Sequence, residues 1–436
     1  MFLLLQAGSE LLFFFLHLIA LCLLRYLLNM LPRYTSTLVL LSFGLASATA
    51  TKLYATHYST KSVYTLSLDR ASDGSYALTQ ASSLETCGTY PSWITFDSAT
   101  RTIYCSDEYG WKNENESVNG SLTALAAGED GVLSEIAVTG TVPGSGVHNV
   151  IYDGEDGQYL AVAHYSGSAL STFKLPLEEN VNPLQVFEFE LSGPGAVPDR
   201  QEAPHPHQAF LDPTGGFVLV PDLGADLIRV FAIDKSDGVL STCPSLNYTT
   251  GGGPRHGVFW TAEDAPKIRG RAPVAPQSIL YVAGELNGEV EAFAVSYPTG
   301  GCLGFRQIDA DEPYPEDLPE GASLGEIRLA GDNIYVSVRL DAAFNGDDSL
   351  ANLRRGRNGK LVFEEITSAY GVLPRTFAIN KAGDLVAIGN QLSSNVAIVT
   401  RDPDTGALGE AVADLIVGVP GEPNTLEGLS SIIWDE

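Results

Sequence analysis

The sequence predicts an all-β protein, a seven-bladed β-propeller whose ring is closed by pairing of the N- and C-terminal strands in one blade. Three observations lead to this prediction. In the central stretch, residues 205–240, short apolar runs are bounded by Gly, Pro and Asp and show no helical period, which is typical of strands and hairpins. One strand pattern recurs seven times along the chain. The last residues form one further strand that belongs to no complete copy.

The recurring strand begins with aliphatic or aromatic residues and ends with polar ones. Its copies start 50 to 62 residues apart, at Leu53, Ile103, Leu160, Val218, Leu280, Ile334 and Val386. Repeats of roughly this length that hold four short strands are typical of β-propellers, in which each copy is one blade. Residues 51–436 are therefore expected to form a single domain, because each blade needs its neighbours to bury its faces.

The two ends of the chain complement each other in this repeat. Most copies are preceded by another strand, as in HNVIYDG, HQAFLDP and HGVFWTA. The first copy, LYATHY, has no such predecessor, whereas the C-terminal strand LSSIIWDE has no copy after it. The C-terminal strand can thus complete the first blade, which closes the ring and removes open sheet edges.

The first 50 residues have a different composition, dominated by Leu and Phe. From Met30 they follow the pattern of a secretory signal peptide: a basic residue, Arg33, an apolar core, and small residues at positions 46–50. We expect residues 30–50 to be the signal peptide and residues 1–29 to be an N-terminal extension or a signal anchor. Export to the medium or the cell wall is the expected location, and anchoring through residues 11–31 is the alternative.

Sequons and cysteines agree with export. Three Asn-x-Ser/Thr sequons predict glycosylation at Asn115, Asn119 and Asn247. Beyond the leader, which holds Cys22, four cysteines remain, and an even number permits two disulfides in a secreted protein. They are Cys87, Cys105, Cys243 and Cys302. Pairing of Cys87 with Cys105 is favoured because both fall in one predicted blade; the alternative is buried free thiols.

Charge and missing motifs exclude several classes of function. The formal net charge of −28 argues against nucleic acid or an anionic membrane surface as a partner. The chain has no GxGxxG, GxxxxGK, GxSxG or HExxH motif, so we expect no cofactor. His205 and His207 could be two metal ligands on one strand face, but no full ligand set accompanies them, and we expect no metal.

Two positions that recur in every copy of the repeat hold His, Arg or Glu in several blades, although a repeat without a functional site would have small or turn residues there. Just beyond the recurring strand are Tyr58, Glu108, Tyr165, Leu223, Glu285, Arg339 and Gln391. At the start of the preceding strand are Ser92, His148, His207, Arg255, Glu326, Arg375 and Ser430. In a propeller these positions meet around the axis, and a pocket of Arg, His and carboxylate suits a small anionic substrate. The structural alternative is that Arg–Glu pairs bridge adjacent blades and that His residues cap turns.

The stretch HPHQAFLDPTGGFVLVPDLGADLIRVFAID resembles the seven-bladed propeller lactonase family, which includes 6-phosphogluconolactonases and fungal carboxy-cis,cis-muconate cyclases. The likeness continues in GPRHGVF, YVAGELNGEVEAF and LPRTFAINKAGDL. The resemblance to the cyclase branch implies four catalytic residues: His207, Arg255, Glu285 and Arg339, with His205 and His148 as alternatives to His207. We expect Glu285 to transfer the proton, with His207 orienting it or sharing that role, and the two arginines to hold carboxylates and stabilise an enolate.

The resemblance implies an enzyme that closes or opens a lactone on a carboxylate substrate. Further candidates for substrate binding are His148, His205, His256, Glu326, Arg375 and Gln391. Two alternatives remain: an extracellular lactonase with another substrate, and a secreted or cell-wall glycoprotein that uses the propeller to bind a cell-wall or host-surface ligand. The oligomeric state stays open.

Overall fold

The strands form where Val, Ile, Leu and aromatic residues alternate, and the chain reverses at the Gly-, Asp- and Pro-containing turns between them. The computed structural model describes residues 50–109, 120–141, 143–262 and 278–436. The predicted leader lies outside the described residues, apart from Ala50, and so do the sequons at Asn115 and Asn119.

The described residues contain 28 strands and one 3-10 turn, Arg357–Gly359. In chain order the strands are β1 (Thr51–His57), β2 (Ser62–Arg70), β3 (Tyr76–Glu85), β4 (Pro91–Asp97), β5 (Thr102–Asp107), β6 (Gly120–Ala127), β7 (Leu133–Thr141), β8 (Gly146–Gly154), β9 (Gly157–His164), β10 (Ala169–Lys174), β11 (Gln185–Glu188), β12 (Phe210–Leu211), β13 (Phe217–Asp222), β14 (Leu227–Ile233), β15 (Leu240–Asn247), β16 (Pro254–Thr261), β17 (Ser278–Gly284), β18 (Val290–Ser296), β19 (Gly304–Asp311), β20 (Ser323–Ala330), β21 (Asn333–Arg339), β22 (Ser349–Arg355), β23 (Leu361–Ser368), β24 (Pro374–Ile379), β25 (Leu385–Asn390), β26 (Asn395–Arg401), β27 (Leu408–Ile416) and β28 (Leu429–Trp434).

These strands make seven four-stranded antiparallel sheets, which confirms the predicted seven-bladed propeller. Blade A has the order β28-β1-β2-β3, so the C-terminal strand completes the first blade as the sequence predicts. Blades B to G are β4–β7, β8–β11, β12–β15, β16–β19, β20–β23 and β24–β27. The first strand in each blade's order contacts the first strand of the next blade around most of the ring, and between blades D and E it is β13, beside the short β12, that contacts β16. The first strands are therefore the innermost strands.

The apolar core lies between the blades. Seven clusters of buried residues occur in the described ranges, and each combines side chains from two adjacent blades. In β1, for example, Leu53 and Ala55 pack against blade G, whereas Tyr54 between them packs against blade B. Successive side chains of a strand point to opposite faces, so every blade buries both faces only when it has two neighbours.

A side-chain contact reinforces the closure of the ring. The guanidinium of Arg101 in blade B donates from Nη1 to Asp435 Oδ1 (3.0 Å) and from Nη2 to Asp435 Oδ2 (2.9 Å), just after β28. The hydroxyl of Tyr54 on β1 donates to the same Oδ2 at 2.8 Å. Burial alone would raise the pKa of Asp435, but these two partners lower it below its ordinary value. The carboxylate thus joins β28 to β1 and to the next blade.

Two disulfides link the chain. Cys87, in the connection between β3 and β4, is bonded to Cys105 on β5, the pairing favoured from the sequence, and Cys243 is bonded to Cys302. The second bond connects β15 of blade D with the segment that precedes β19 of blade E. In the part of the chain that the structure describes, no helix is long and apolar enough to cross a membrane.

We expect Arg101→Met to weaken the closure of the ring. The substitution leaves the mostly buried Asp435 without its cation, so the free energy of unfolding should fall by about 1 to 3 kcal/mol. Arg354→Met is the control, because Arg354 and its partner Glu364 are both exposed and the loss there should be within about 0.5 kcal/mol. Denaturant unfolding measures both. Equal losses in the two variants would contradict a specific role for the closing contact.

Candidate functional site

A β-bulge recurs in the innermost strands and directs side chains toward the axis. The bulged residue is skipped in the pairing between the first and second strands of a blade, and a bulge of this kind re-aims its side chain. The skipped residues are Ser92, Val147, Arg255, Arg375 and Ser430, and in blade F the shift falls at Gly325 and Glu326. The register thus gives this position in blade C to Val147, with the predicted His148 one residue further on.

The second repeated position directly follows the second strand of each blade. In six blades its backbone N–H donates to a carbonyl at the start of the same blade, at 2.8 to 3.0 Å. These residues are Tyr58, Glu108, Tyr165, Leu223, Glu285 and Gln391, and Arg339, the last residue of β21, occupies the position in blade F. Both repeated positions lie at the same end of the inner strands. The structure therefore brings the predicted His, Arg and Glu residues to one mouth of the ring.

Glu285 stands at the centre of an arginine cluster. Its Oε2 lies 3.0 Å from Arg255 Nε and 2.9 Å from Arg339 Nη2, and its Oε1 pairs with Arg200 Nη2. The side chains of Glu285, Arg255 and Arg339 are buried, at 8%, 2% and 10% exposure, whereas that of Arg200 is 44% exposed. Arg200 was missed from the sequence, because it lies in the long connection between β11 and β12 and has no repeat-equivalent in the other blades.

The cluster carries more positive than negative charge. Burial alone would raise the pKa of Glu285, but Arg339, Arg200 and Arg255 together hold it well below its ordinary value, so the carboxylate is ionised. Three guanidinium groups then face one carboxylate. Among the described residues, Nε and Nη1 of the buried Arg255 have no hydrogen-bond partner; Nε is close to Glu285 but not aligned with it for a hydrogen bond. Buried donors without a partner are rare and favour an anionic ligand at this place.

A chain of hydrogen bonds runs from His207 through His256 to Glu326. His207 Nδ1 lies 3.1 Å from His256 Nε2, and His256 Nδ1 lies 3.1 Å from Glu326 Oε1. All three residues are buried, and Arg328 Nε approaches the same Oε1 at 3.5 Å. The residues come from blades D, E and F, so the chain exists only because the inner strands meet.

Burial sets the protonation of this chain. Burial lowers the pKa of His256 to about 4, and burial together with Arg255 lowers the pKa of His207 well below its ordinary value. Burial alone would raise the pKa of Glu326, but Arg328 and His256 lower it to about 2. At neutral pH the chain therefore holds one carboxylate and two neutral imidazoles.

These charges determine which nitrogens carry protons. The carboxylate of Glu326 can only accept, so His256 donates from Nδ1 and has its lone pair on Nε2. His207 must then donate from Nδ1 to that lone pair, which leaves the lone pair of His207 on Nε2. This Nε2 has no hydrogen-bond partner among the described residues. It is also accessible to solvent, because it is absent from the set of inaccessible atoms without a partner. His207 is thus prepared to accept a proton from a molecule in the site.

His148 lines the site without any hydrogen bond from its ring. The imidazole stacks on the indole of Trp93 with the centroids 4.0 Å apart and meets the edge of His256 at 5.4 Å. In the part of the chain that the structure describes, neither ring nitrogen has a partner with hydrogen-bond geometry. Burial, with His256 and Arg328 nearby, lowers the pKa of His148 well below its ordinary value. It is a neutral aromatic wall of the site.

A second carboxylate, Glu108, has its own set of donors. Its Oε2 receives hydrogen bonds from the hydroxyls of Tyr58 (2.5 Å) and Ser92 (2.8 Å), and Arg375 Nη2 lies 3.5 Å away. Arg375 is close enough to His207 to contribute to the lowering of its pKa. The predicted binding residue Arg375 therefore belongs to the same mouth as the arginine cluster.

Two other predicted residues make local contacts, and one predicted glycosylation site is among the described residues. His205 stacks on Tyr165 with the centroids 4.3 Å apart, and its ring hydrogen-bonds with Glu202 and with the carbonyl of Tyr165. Gln391 donates to the carbonyls of Thr425 and Glu427 and supports the C-terminal segment. Asn247, the described sequon, is exposed. In the described ranges no group of His, Cys, Asp or Glu residues is arranged to hold a metal ion.

Comparisons with known proteins agree with this architecture. A family model described as "Lactonase, 7-bladed beta-propeller" matches residues 52–423. A probable 6-phosphogluconolactonase of Arthroderma benhamiae is 33% identical over 72% of this chain and 75% of its own length. The 6-phosphogluconolactonase of Bacillus subtilis is 30% identical over 58% of this chain and 66% of its own length. The solved periplasmic gluconolactonase of Pseudomonas aeruginosa has the same fold, with a TM-score of 0.68 at 23% identity, covering 88% of this chain and 99% of that one.

We expect acid to destabilise the protein through its buried histidines. The pKa of His148 is lower in the folded chain than the ordinary 6.5, so as the pH falls the unfolded chain binds protons first. The stabilisation from a neutral His148 is complete above about pH 6.5 and decreases as the pH falls below that value.

His148→Phe tests this expectation, because phenylalanine keeps a ring on Trp93 and does not titrate. Denaturant unfolding between about pH 5 and 7 should show a smaller loss of stability in the variant than in the wild type. Parallel curves for the two proteins would contradict the assignment of a neutral, buried His148.

Proposed function

The chain belongs to the seven-bladed β-propeller lactonase family, and from this premise we propose that it hydrolyses a lactone that carries an anionic group. The observation that supports the proposal most directly is the free Nε2 lone pair of His207, fixed by His256 and Glu326, beside the guanidinium groups of Arg255 and Arg339. A base next to fixed cations is what ester hydrolysis at neutral pH requires.

The proposed reaction has two steps. In the first, a water molecule gives a proton to His207 Nε2 while its oxygen forms a bond to the lactone carbonyl carbon, and Arg255 and Arg339 stabilise the oxyanion that forms. In the second, the bond between the carbonyl carbon and the ring oxygen breaks, and the imidazolium returns the proton to that oxygen. The product is the open hydroxy acid, which releases a proton to the solvent, and its new carboxylate lies among the arginines.

This proposal divides the roles differently from the interpretation based on sequence, which gave proton transfer to Glu285. Arginines engage both oxygens of Glu285 and hold its pKa well below its ordinary value, so neither oxygen is free to take a proton, whereas Nε2 of His207 keeps a free lone pair. We therefore assign Glu285 to positioning: it fixes the arginines around the site. His207 is assigned to proton transfer, with His256 and Glu326 as its positioning residues.

The reaction expected from the cyclase branch is a second candidate. The observation that favours it is the presence of His207, Arg255, Glu285 and Arg339 in one cluster. Two carboxylates of a substrate could lie between the arginines, and one of them could add to a conjugated double bond within the same molecule. A substrate panel separates this addition from hydrolysis, because hydrolysis consumes water and cycloisomerisation does not.

We also propose that the protein works outside the cytosol. Both disulfides of the described region and the exposed Asn247 support an oxidising, glycosylating compartment. An exported enzyme would meet lactones in the medium or at the cell wall. Fractionation of the native producing cells, with detection of the N-terminus and of any glycan on the mature protein, tests this location.

The lactonase proposal predicts turnover that depends on Arg339. We expect the purified protein to open 6-phosphogluconolactone or a related anionic lactone, and Arg339→Ala to lower kcat/KM by about 100- to 1,000-fold, because one of the cations that stabilise the oxyanion is lost. A pH-stat assay, supplemented by NMR with 3-carboxy-cis,cis-muconate and its lactone, measures the reaction. Arg354→Ala removes an exposed arginine in an outer strand and is the matched control.

Turnover that survives Arg339→Ala at the control level would contradict the site assignment. Turnover of the muconate without consumption of water would favour the cycloisomerase. Ligand binding without any turnover by the wild type would favour the binding scaffold over both enzymes.

The positioning role of Glu326 predicts a change in the pH profile. Glu326→Gln removes a negative charge from the histidine chain, which lowers the pKa of the histidine pair and weakens His207 as a base. We expect kcat to fall by about 10- to 100-fold with little change in KM, and the acid limb of kcat to move to lower pH. A purely structural role would lower activity without moving the acid limb.

A further inference from the structure

We propose that Arg200 is a specificity-determining residue that selects lactones with an anionic group at the end remote from the lactone carbonyl. The proposal rests on the proposed lactonase function and extends it to a residue outside the repeated positions. Arg200 is the only member of the arginine cluster that comes from a connection between blades, here the segment between β11 and β12.

The backbone around Arg200 is held firmly. The next residue, Gln201, is fully buried; its side-chain amide donates to the carbonyl of Leu223 (3.0 Å) and to Asp226 Oδ1 (2.7 Å), and its Oε1 accepts from the backbone N–H of Val197 (3.0 Å). The N–H of Arg200 also donates to the carbonyl of Val197 at 2.9 Å. The connection is thus a fixed support that places the guanidinium of Arg200, and not a free surface loop.

Arg200 and the two buried arginines approach opposite oxygens of Glu285. Arg255 and Arg339 face Oε2 and are almost inaccessible, whereas Arg200 faces Oε1 and is 44% exposed. The buried pair therefore lies on the inner side of the carboxylate and Arg200 on the solvent side. A substrate whose carbonyl reaches the inner pair extends its other end toward Arg200.

The guanidinium of Arg200 has N–H groups that are available to bind the remote end of the substrate. Only Nη2 has partners among the described residues: Glu285 and the hydroxyl of Tyr165, the latter at 3.4 Å. The N–H groups of Nε and Nη1 make no hydrogen bond with described residues. Glu202, a carboxylate of the same segment, is engaged with His205 at 3.0 Å. A phosphate or carboxylate of the substrate would meet free, charged donors at this point.

The test compares lactones that share a ring and differ in the remote group. These are glucono-lactone, which is neutral there, its 6-phosphorylated form, and the lactone of the corresponding dicarboxylic sugar acid. We expect Arg200→Gln to lower kcat/KM for the two charged lactones about 10- to 100-fold more than for the neutral one, because a charge-assisted contact is lost only with the charged substrates. The two charged arms show whether phosphate or carboxylate is preferred. Arg354→Gln, with the same change in net charge, should leave the ratio unchanged.

Equal losses with charged and neutral lactones would overturn the proposal and assign Arg200 to supporting Glu285. Binding of the open acids, gluconate and 6-phosphogluconate, is measured by calorimetry in parallel and does not need turnover. If the wild type opens no lactone, the proposed function fails; a preference for 6-phosphogluconate that Arg200→Gln abolishes would still support the role of Arg200. If the wild type does not bind 6-phosphogluconate more tightly than gluconate, the proposed role of Arg200 is overturned.

Discussion

Pairing of β28 with β1 is the constraint on which the rest of the structure depends. Because the C-terminal strand completes the first blade, every blade has two neighbours and all seven apolar interfaces are filled. The carboxylate of Asp435, bound by Arg101 and Tyr54, reinforces this closure at the end of the strand pair that is opposite to the mouth. A closed ring fixes the distances between the inner strands, and those distances decide whether residues 50 or more positions apart meet in one site.

Within that ring the β-bulges give the site its geometry. An unbroken ladder would alternate side chains between the two blade interfaces, and polar residues there would be buried in apolar surroundings. The extra residue in the inner strand turns Arg255, Glu326 and Arg375 out of that alternation and toward the mouth. The repeat therefore places a similar β-bulge in most blades, and the residue at each bulge determines what that blade contributes to the site.

The site contains two clusters with different electrostatic roles. Around Glu285, three arginines leave an excess of positive charge that suits an anion in a strongly acidic protein. Around Glu326, burial keeps two imidazoles neutral, and the carboxylate fixes their tautomers. The first cluster is suited to bind and stabilise negative charge, and the second to accept a proton. His207 stands where the two meet, which is why its pKa responds to both.

Much of the fold and part of the site follow from the sequence itself. The spacing of the repeats and the unpartnered strand at each end determined seven blades and their closure, because those features are local patterns of apolar and turn residues. Repeat-equivalent positions identified Arg255, Glu285, Arg339 and Arg375 for the same reason. The tertiary structure alone decided the rest: Arg200 reaches Glu285 from a connection that has no repeat, Val147 rather than His148 takes the bulge, and His256 links His207 to Glu326 across three blades. Such contacts depend on distances between blades, which no local pattern in the chain records.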